Sequence, residues 1–390
     1  MPWKELSVVN QRMEFVLKAL AGGADLVELC REYGISRKTG YKWKKRFLEQ
    51  GPGGLEDQSR RPKCSPREVS EDVICKAVKL KIAHPNWGPK KIRAVFARTY
   101  PELELACEST FKRILDKAGL VRPRKRRKQA ETGRLSNRVQ AERPNHVWTV
   151  DFKGWWRTGD RCRFEPLTIR DDYSRYVLCA QALESSGTIA VREAFERVFC
   201  RYGMPGVIRS DNGSPFASSR APFGLSQLSA WWVALGIDLD RITPGRPDQN
   251  GAHERMHRDI AKELEAESKE DMAKQQAALD VWRNTYNHER PHEAIEMKVP
   301  ADLFQKSERV FEPEIELEYP PDHLCRKVNC RGIIALHKNY IRISEALANW
   351  HVGLKYYQKN QYDLWFSRLC LGRVDLEMHK FCPALPENED

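Results

Sequence analysis

Long apolar runs are missing from this 390-residue sequence. A helix that crosses a bilayer needs about 18–20 consecutive apolar residues, and no stretch approaches that, so a membrane role is not expected. The opening MPWKELSVVNQRMEF lacks the apolar core of a secretory signal, so export is not expected either. A disulfide framework is also missing. The eleven cysteines are an odd number scattered without repeated spacing, which points to reduced thiols in a cytosolic setting. Cys325 and Cys330 lie near His323, but their spacing fits no common zinc finger, and ordinary packing is the expectation. No Gly-rich phosphate loop is present, so no nucleotide cofactor is expected, and no Cys/His nucleophile arrangement stands out.

Acid is scarce in one region. The chain carries a formal net charge of +12. Residues 1–144 hold 33 Lys and Arg against 17 Asp and Glu, whereas the remainder holds 33 against 37. The whole excess therefore lies in the first third. A basic segment of this kind is the footprint of nucleic-acid binding, because neutralised phosphates release counterions. A membrane surface would instead want a basic helix with a broad apolar face, and none is visible.

What is present reads as several domains. Residues 1–55 predict three helices. Val8, Met13, Val16, Leu17 and Leu20 recur at helical spacing. LVELCREYGISRKTGYKWKKRF then predicts helix, turn and helix, with Gly34 in the turn and Ser36 as the next N-cap. The second of these helices carries Arg37, Lys38, Lys42, Lys45 and Arg46, which suits a helix-turn-helix reading the DNA major groove. After the Gly/Pro/Arg linker at 51–66, residues 65–120 again predict helices and a second, helix-turn-helix-like domain. The tract 121–144 is a basic linker too polar to bury a core, and its Arg124, Lys125 and Arg126 are expected to contact DNA backbone. Residues 145–304 alternate strands and helices: three antiparallel strands, helix, strand, helix, strand, helix. Thr158-Gly159-Asp160 predicts a hairpin turn, and Asp171-Asp172 predicts turn chemistry. Residues 320–380 predict four or five short strands and a small β-barrel.

Three acids stand out. Asp151 lies within an apolar strand, Asp211 ends a strand before Asn212-Gly213, and Glu254 begins a basic helix. Each alone has a plain structural account: a strand-edge acid, a turn-former, a carboxylate favoured by the helix dipole. Together, behind a DNA-binding front end, they suit phosphodiester chemistry. Two Mg²⁺ ions about 3.5–4 Å apart can activate the nucleophile, stabilise the leaving oxygen and relieve charge on phosphorus. Mg²⁺ takes oxygen ligands, and acids crowded for that purpose should show raised pKa values without metal. Asn212 and Asn250 have two open accounts, turn-making or orienting groups near the metals. Arg258 and Lys262, one and two turns beyond Glu254, could grip a DNA end or pair with Glu265 and Glu267.

The stretches WTVDFKG, IRSDNGSPF, TPGRPDQNGAHERMHRDI and YNHERPHEAI resemble the catalytic domain of the DDE transposases of bacterial insertion sequences, relatives of retroviral integrase. The resemblance covers nearly the whole chain. It implies an N-terminal all-α helix-turn-helix region, a central α/β ribonuclease-H-like core with a mixed five-stranded sheet, and the small C-terminal β-barrel. It implies that Asp151, Asp211 and Glu254 are the catalytic and metal-binding triad, using two Mg²⁺ or Mn²⁺ ions when DNA is bound. It also implies binding of terminal inverted repeats, 3′-end cleavage and strand transfer into target DNA. Assembly as a homo-oligomer on paired ends and a bacterial cytoplasmic, nucleoid-associated setting follow. Trp282, Asn287, Arg290 and His292 mark the late helix and turn, with Trp282 expected in the core. Two departures are visible. Forty-two residues separate Asp211 from Glu254, more than in retroviral integrases, with the surplus expected in ASSRAPFGLSQ. The His/Cys zinc module of retroviral integrases has no counterpart. A catalytically idle DNA-binding regulator and a ribonuclease-H-like nuclease without strand transfer remain the rival readings.

Overall fold

A computed structural model of the chain describes residues 7–23, 25–59, 69–121, 139–219, 221–243 and 247–384. The chain forms two compact units, Met1–Glu68 and Val69–Asp390. The first holds helices α1 (Val8–Leu20), α2 (Leu26–Glu32) and α3 (Arg37–Gln50). Gly34 takes the left-handed conformation that the turn between α2 and α3 requires, at φ +63°. Ser36 caps α3, its hydroxyl accepting from the Thr39 amide at 3.2 Å. The core is Phe15, Val16, Leu29, Cys30, Trp43 and Leu55. Gly40 lets α3 approach closely, since a Cβ there would lie 2.5 Å from the Cys30 sulfur.

The second unit opens with α4 (Glu71–Ala83), α5 (Pro89–Thr99) and α6 (Glu108–Lys117), closed around Val73, Ala77, Ile92, Phe96, Phe111 and Leu115. Arg124, Lys125 and Arg126 lie outside the described residues. Next come the strands β1 (Val147–Phe152), β2 (Trp156–Arg157), β3 (Arg163–Phe164), β4 (Pro166–Asp171) and β5 (Val177–Ala182), then helix α7 (Thr188–Tyr202). Strand β6 (Val207–Ser210), helix α8 (Gln227–Ala234), strand β7 (Asp238–Arg241), and helices α9 (Gly251–Ile260), α10 (Met272–His288) and α11 (Pro300–Leu303) complete this part. The main sheet has the order β5-β4-β1-β6-β7. β1 is antiparallel to β4 and parallel to β6, so the five-stranded sheet is mixed. The short strands β2 and β3 form a separate hairpin between β1 and β4. Arg98 of α5 makes a two-pronged ion pair with Asp302 of α11, at 2.7 and 3.0 Å.

Strand alternation divides the sheet into two faces. Trp148, Val150, Leu167, Ile169 and Ile208 point one way and pack with Phe195 and Phe199 of α7 and Trp231 and Trp232 of α8. The residues between them (Thr149, Asp151, Thr168 and Arg170) point the other way, where α9 lies across β1 and β4. The hairpin's Trp156 and Phe164 close that second side with Met256, Ile260, Leu279 and Trp282.

The C-terminal part carries β8 (His323–Lys327), β9 (Ile333–Leu336), β10 (Asn339–Arg342), β11 (His351–Gln358), β12 (Gln361–Phe366), β13 (Leu369–Asp375) and β14 (Lys380–Pro383). The expected closed barrel is not what forms. Five antiparallel strands make an open sheet, β14-β13-β12-β11-β8, and β9 with β10 make a separate hairpin. Closure would need a hydrogen-bonded ladder joining the hairpin to both sheet edges. Instead Ile334, Leu336 and Ile341 are buried by packing against Val352, Leu354 and Leu364, so the apolar demand is met without that ladder. The same cluster includes Ala230 and Val233, which seats this sheet on α8. No helix among the described residues is long and apolar enough to cross a membrane.

Candidate active site

Asp151 sits near the end of β1, and the parallel partner strand sets what lies beside it. Val147 pairs with Val207, Trp148 with Ile208 and Thr149 with Arg209. Continuing that register by two residues brings Asp211 alongside Asp151. Neighbouring strands run about 4.8 Å apart, and equal spacing along both strands leaves the two acids on the same face. Asp211 follows β6, where its carboxylate accepts from the Gly213 amide at 3.1 Å. The Asn212 amide group donates to the Ile242 carbonyl, so this side chain ties the turn to the end of β7.

Glu254 is held by its helical neighbours. His253 is fully buried and hydrogen-bonds through Nδ1 to the Thr149 hydroxyl and through Nε2 to the Thr168 hydroxyl, each at 2.7 Å. His257, one turn on, reaches the Thr168 hydroxyl at 2.8 Å. Thr168 stands directly opposite Asp151 across the antiparallel pair and donates to its backbone carbonyl at 2.9 Å. One hydroxyl thus links both histidines of α9 to the strand that carries Asp151. Neither histidine had been singled out for a role from the sequence, although their i, i+4 spacing around Glu254 is a signal for one buried helix face.

The electrostatics set this cluster apart. Burial, then the charges of Asp211 and Glu254, push the Asp151 carboxyl up to about 7. His257 Nδ1 lies 3.7 Å from the Asp151 carboxylate but supplies no cation, because burial pushes it down to about 3. Burial likewise lowers His253 well below the ordinary histidine value. Among the described residues no Lys or Arg forms an ion pair with Asp151, Asp211 or Glu254. Asp151 thus feels the charge of both other acids and lacks a compensating cation among the described residues. The three acids are hard oxygen donors, which fits a divalent cation. They are not drawn into a ready-made cage: among the described residues no three His, Cys, Asp or Glu side chains gather closely enough to hold a metal ion.

Other predicted positions fall as follows. On α3, Arg37, Lys38, Lys42 and Lys45 are exposed, while Arg46 is half-buried, bonded to Gln58 at 3.0 Å and stacked on Trp43. Arg258 and Lys262 are exposed, but the helix does not run on regularly between them. Residues Ala261–Glu265 form a π-helical turn, so Lys262 is rotated from the place an unbroken α-helix would give it. Trp282 is core, and its indole N–H donates to Glu263 at 2.9 Å. Asn287 fastens α10 to β5 by exchanging hydrogen bonds with Val177 at 2.8 and 3.0 Å. Arg290 pairs with Asp259 at 2.7 Å and Glu263 at 3.4 Å. Asn250 is buried and its side-chain oxygen has no hydrogen-bond partner among the described residues. Asp171 serves its turn, accepting from the Asn145 and Ser174 amides at 2.8 Å each. Asp172 does more than the turn reading implies. It binds Arg170 at 2.8 Å, Arg175 at 2.9 Å and Arg209 at 3.0 Å, and Arg209 continues to Asp240 at 2.7 Å.

Residues 141–247 and 235–300 each match families described as integrase core domain. Residues 11–63 match a helix-turn-helix domain family and residues 39–115 a homeodomain-like domain family. The chain is 27% identical over 242 residues to the insertion element IS407 protein of Burkholderia multivorans, covering 62% of this chain and 83% of that protein. It is 26% identical over 270 residues to the insertion element IS476 protein of Xanthomonas euvesicatoria, covering 66% and 75%. The Pol polyprotein of Radiation murine leukemia virus is 32% identical over 127 residues, a third of this chain (33%) and 20% of that protein. Among solved structures, the HTLV-2 integrase catalytic core domain in complex with magnesium aligns over 43% of this chain and 100% of that one, at 16% identity and a TM-score of 0.34. Helix-turn-helix segments ahead of an integrase core, with relatives encoded by two bacterial insertion elements, support an insertion-sequence transposase of the integrase family.

Proposed function

We propose that this protein binds the terminal inverted repeats of an insertion sequence, cleaves the element at its 3′ ends and joins those ends to target DNA. The observation that carries the reading is that Asp151, late in β1, and Asp211, just past β6, follow the register of two adjacent parallel strands, with the Asp151 carboxyl raised to about 7 by burial and by the other two acids. A site that gathers negative charge without a cation of its own suits a metal-dependent reaction on a phosphodiester.

Asp151 and Asp211 would hold two divalent cations, Mg²⁺ or Mn²⁺, and Glu254 would complete one of the two sites. Such ions supply charge relief on the phosphorus and a nucleophilic oxygen at neutral pH. The chain's own work is positioning. β1 carries Asp151, and β6, paired with it in parallel, leads directly into Asp211. The His253–Thr168–His257 chain pins α9 to β4, the antiparallel partner of β1, and so limits where Glu254 can sit. In the first step water displaces the 3′ oxygen of the element end; in the second that 3′ hydroxyl displaces a target-strand oxygen, one P–O bond forming as another breaks. Arg37, Lys38, Lys42, Lys45 and Arg46 would carry repeat binding, the block Arg124, Lys125 and Arg126 would grip DNA backbone, and Arg258 and Lys262 would grip the DNA end. Two element ends held together imply a homo-oligomer on double-stranded DNA. The relatives encoded by insertion elements support this reading.

The test is a nicking and joining assay on duplexes bearing the inverted repeats that flank the reading frame. Mg²⁺-dependent cleavage and joined products are expected, both lost in Asp211→Asn. Cleavage without joining identifies a nuclease. Binding without either product identifies a DNA-binding regulator, and cleavage unchanged in Asp211→Asn overturns the assignment of this acid.

A further inference from the structure

Four residues beyond Asp151 the chain presents an exposed tryptophan. Trp155 is 52% exposed, and the residue before it, Gly154, takes φ +84°, which turns the chain out of β1. Four residues of chain reach at most roughly 14 Å, which bounds how far the Trp155 backbone lies from that of Asp151. Single exposed apolar residues are ordinary on protein surfaces. This one differs in its mounting and its neighbours.

The mounting is firm. Trp156 and Phe164, the inward residues of the β2–β3 hairpin, are buried against Met256 and Ile260 of the helix that carries Glu254. At the hairpin tip the Gly159 and Asp160 amides donate to the carbonyls of Lys269 and Glu270, at 2.8 Å each. The Ser268 hydroxyl donates to the Arg157 carbonyl at 2.7 Å. The neighbours are cations. The guanidinium groups of Arg157 and Arg163 lie 5.7 and 5.4 Å from the Trp155 ring. In the hairpin register these two arginines stand directly opposite each other, a like-charge pairing that is unfavourable in the free protein. Arg163 has Glu165 at 2.6 Å; Arg157 has no acid partner among the described residues. Arg161, exposed at the tip, adds a third. The hairpin maintains a repulsion that a polyanion would relieve, around a flat π surface that a base would cover.

We propose that this hairpin is a stacking platform for an unpaired nucleotide of the DNA end, with Trp155 taking the base and Arg157 and Arg163 the adjoining phosphates. The proposal deepens the reading of the site as a DNA-processing centre and rests on it for the identity of the strand. Its test does not depend on catalysis. The full-length chain is titrated, in EDTA and at fixed salt, into a fluorescein-labelled duplex with a few unpaired nucleotides at one end, and into the same duplex fully paired. Trp155→Ala should weaken binding of the open-ended duplex about tenfold, and Trp155→Phe should stay within about threefold of wild type. The fully paired duplex should change by less than about twofold for both variants, because contacts elsewhere hold its backbone. Arg157→Ala with Arg163→Ala should weaken the open-ended duplex and flatten its salt dependence.

Equal losses on both duplexes, or no loss on the open-ended one, overturn the proposal. So does a Trp155→Ala chain whose sedimentation changes while both DNA affinities hold, since the surface would then meet a second copy of the chain. Wild-type nicking is scored separately. An indifferent Trp155→Ala beside normal nicking rejects the platform alone; a wild type that never nicks with any divalent ion rejects the proposed reaction and leaves the binding contrast to stand.

Discussion

Two groups of acids lie on or beside the main sheet and meet opposite surroundings. Asp172 and Asp240 are answered by arginines: Arg170 and Arg209 are each 1% exposed, and the carboxylates take up their guanidinium hydrogens at 2.7 to 3.0 Å. Asp151, Asp211 and Glu254 have no such answer among the described residues, and a neutral histidine, His257, stands 3.7 Å from Asp151 where a cation would have relieved it. The sheet can evidently supply arginines to buried acids. It does so for Asp172 and Asp240 and not for the half-buried Asp151, beside which Glu254 is half-buried and Asp211 exposed. A folded chain that leaves charge uncompensated gives up stability there, and such sites are where a ligand of opposite charge is to be sought.

The largest effect should come from removing charge at the uncompensated group. Asp151→Asn and Asp211→Asn are each expected to lower divalent-dependent cleavage at least roughly a thousandfold, about 4 kcal/mol in barrier height, while circular dichroism stays native. An Asn variant retaining a tenth of wild-type cleavage would erase the contrast between the two groups. At the compensated group the loss should be in folding. Asp172→Ala removes the carboxylate that three arginines share and is expected to destabilise the second unit by about 3–5 kcal/mol. The measurement is urea unfolding followed through the buried Trp148, Trp231 and Trp232. A loss under about 1 kcal/mol would mean that the arginines are not held by this acid.

The same contrast predicts a mutation that stabilises. The Asp151 carboxyl stands at about 7, above its ordinary 3.8. Between those two values the folded protein keeps a proton that the unfolded chain has lost. Stability therefore falls as pH rises through this window and stays reduced above about 7. With the side chain 27% open to water, the effect should be on the order of 2 kcal/mol. In EDTA at pH 8, Asp151→Asn should unfold later than wild type by that margin, and at pH 4 the two should coincide. Added Mg²⁺ should stabilise the wild type and leave the variant unmoved. A variant less stable than wild type at pH 8 would show that Asp151 is paired after all.

These differences were only partly legible in the sequence. The three N-terminal helices, the Gly34 turn and the Ser36 cap were readable because caps and turns are local chemistry. The order of strands and helices in the core was readable from apolar periodicity, and the segment expected to hold the surplus between Asp211 and Glu254 carries a bridge from Ala217 to Leu225. What stayed hidden depends on contacts far apart in the chain. His253 reads as one more basic residue until Thr149 and Thr168 are seen beneath it. Asp172 reads as a turn residue until Arg209, 37 positions on, is seen to reach it. The C-terminal strands were countable only approximately, and closure is a property of the hydrogen-bond ladder that alternation does not encode. The π-turn at Ala261–Glu265 has no marker that composition would reveal.

The smallest effect tests whether uncompensated charge means the same thing when its sign is reversed. Arg37 and Lys38 begin α3, both exposed and without an ion pair among the described residues. Lys45, by contrast, has Glu49 one turn along at 3.7 Å, and Arg46 is engaged by Gln58 and Trp43. If bare cations mark the DNA-facing side of this helix, Arg37→Ala and Lys38→Ala should each lower affinity for duplex DNA a few-fold. Each should also reduce the slope of log affinity against log salt by about 1, the signature of one lost phosphate contact. Arg46→Ala should change the slope less, and should loosen the packing on Trp43 instead, which amide exchange in α3 would register. Equal slopes for all three variants would show that engagement within the protein does not decide which cations meet DNA, and bare charge would then mark a ligand site only at the acids.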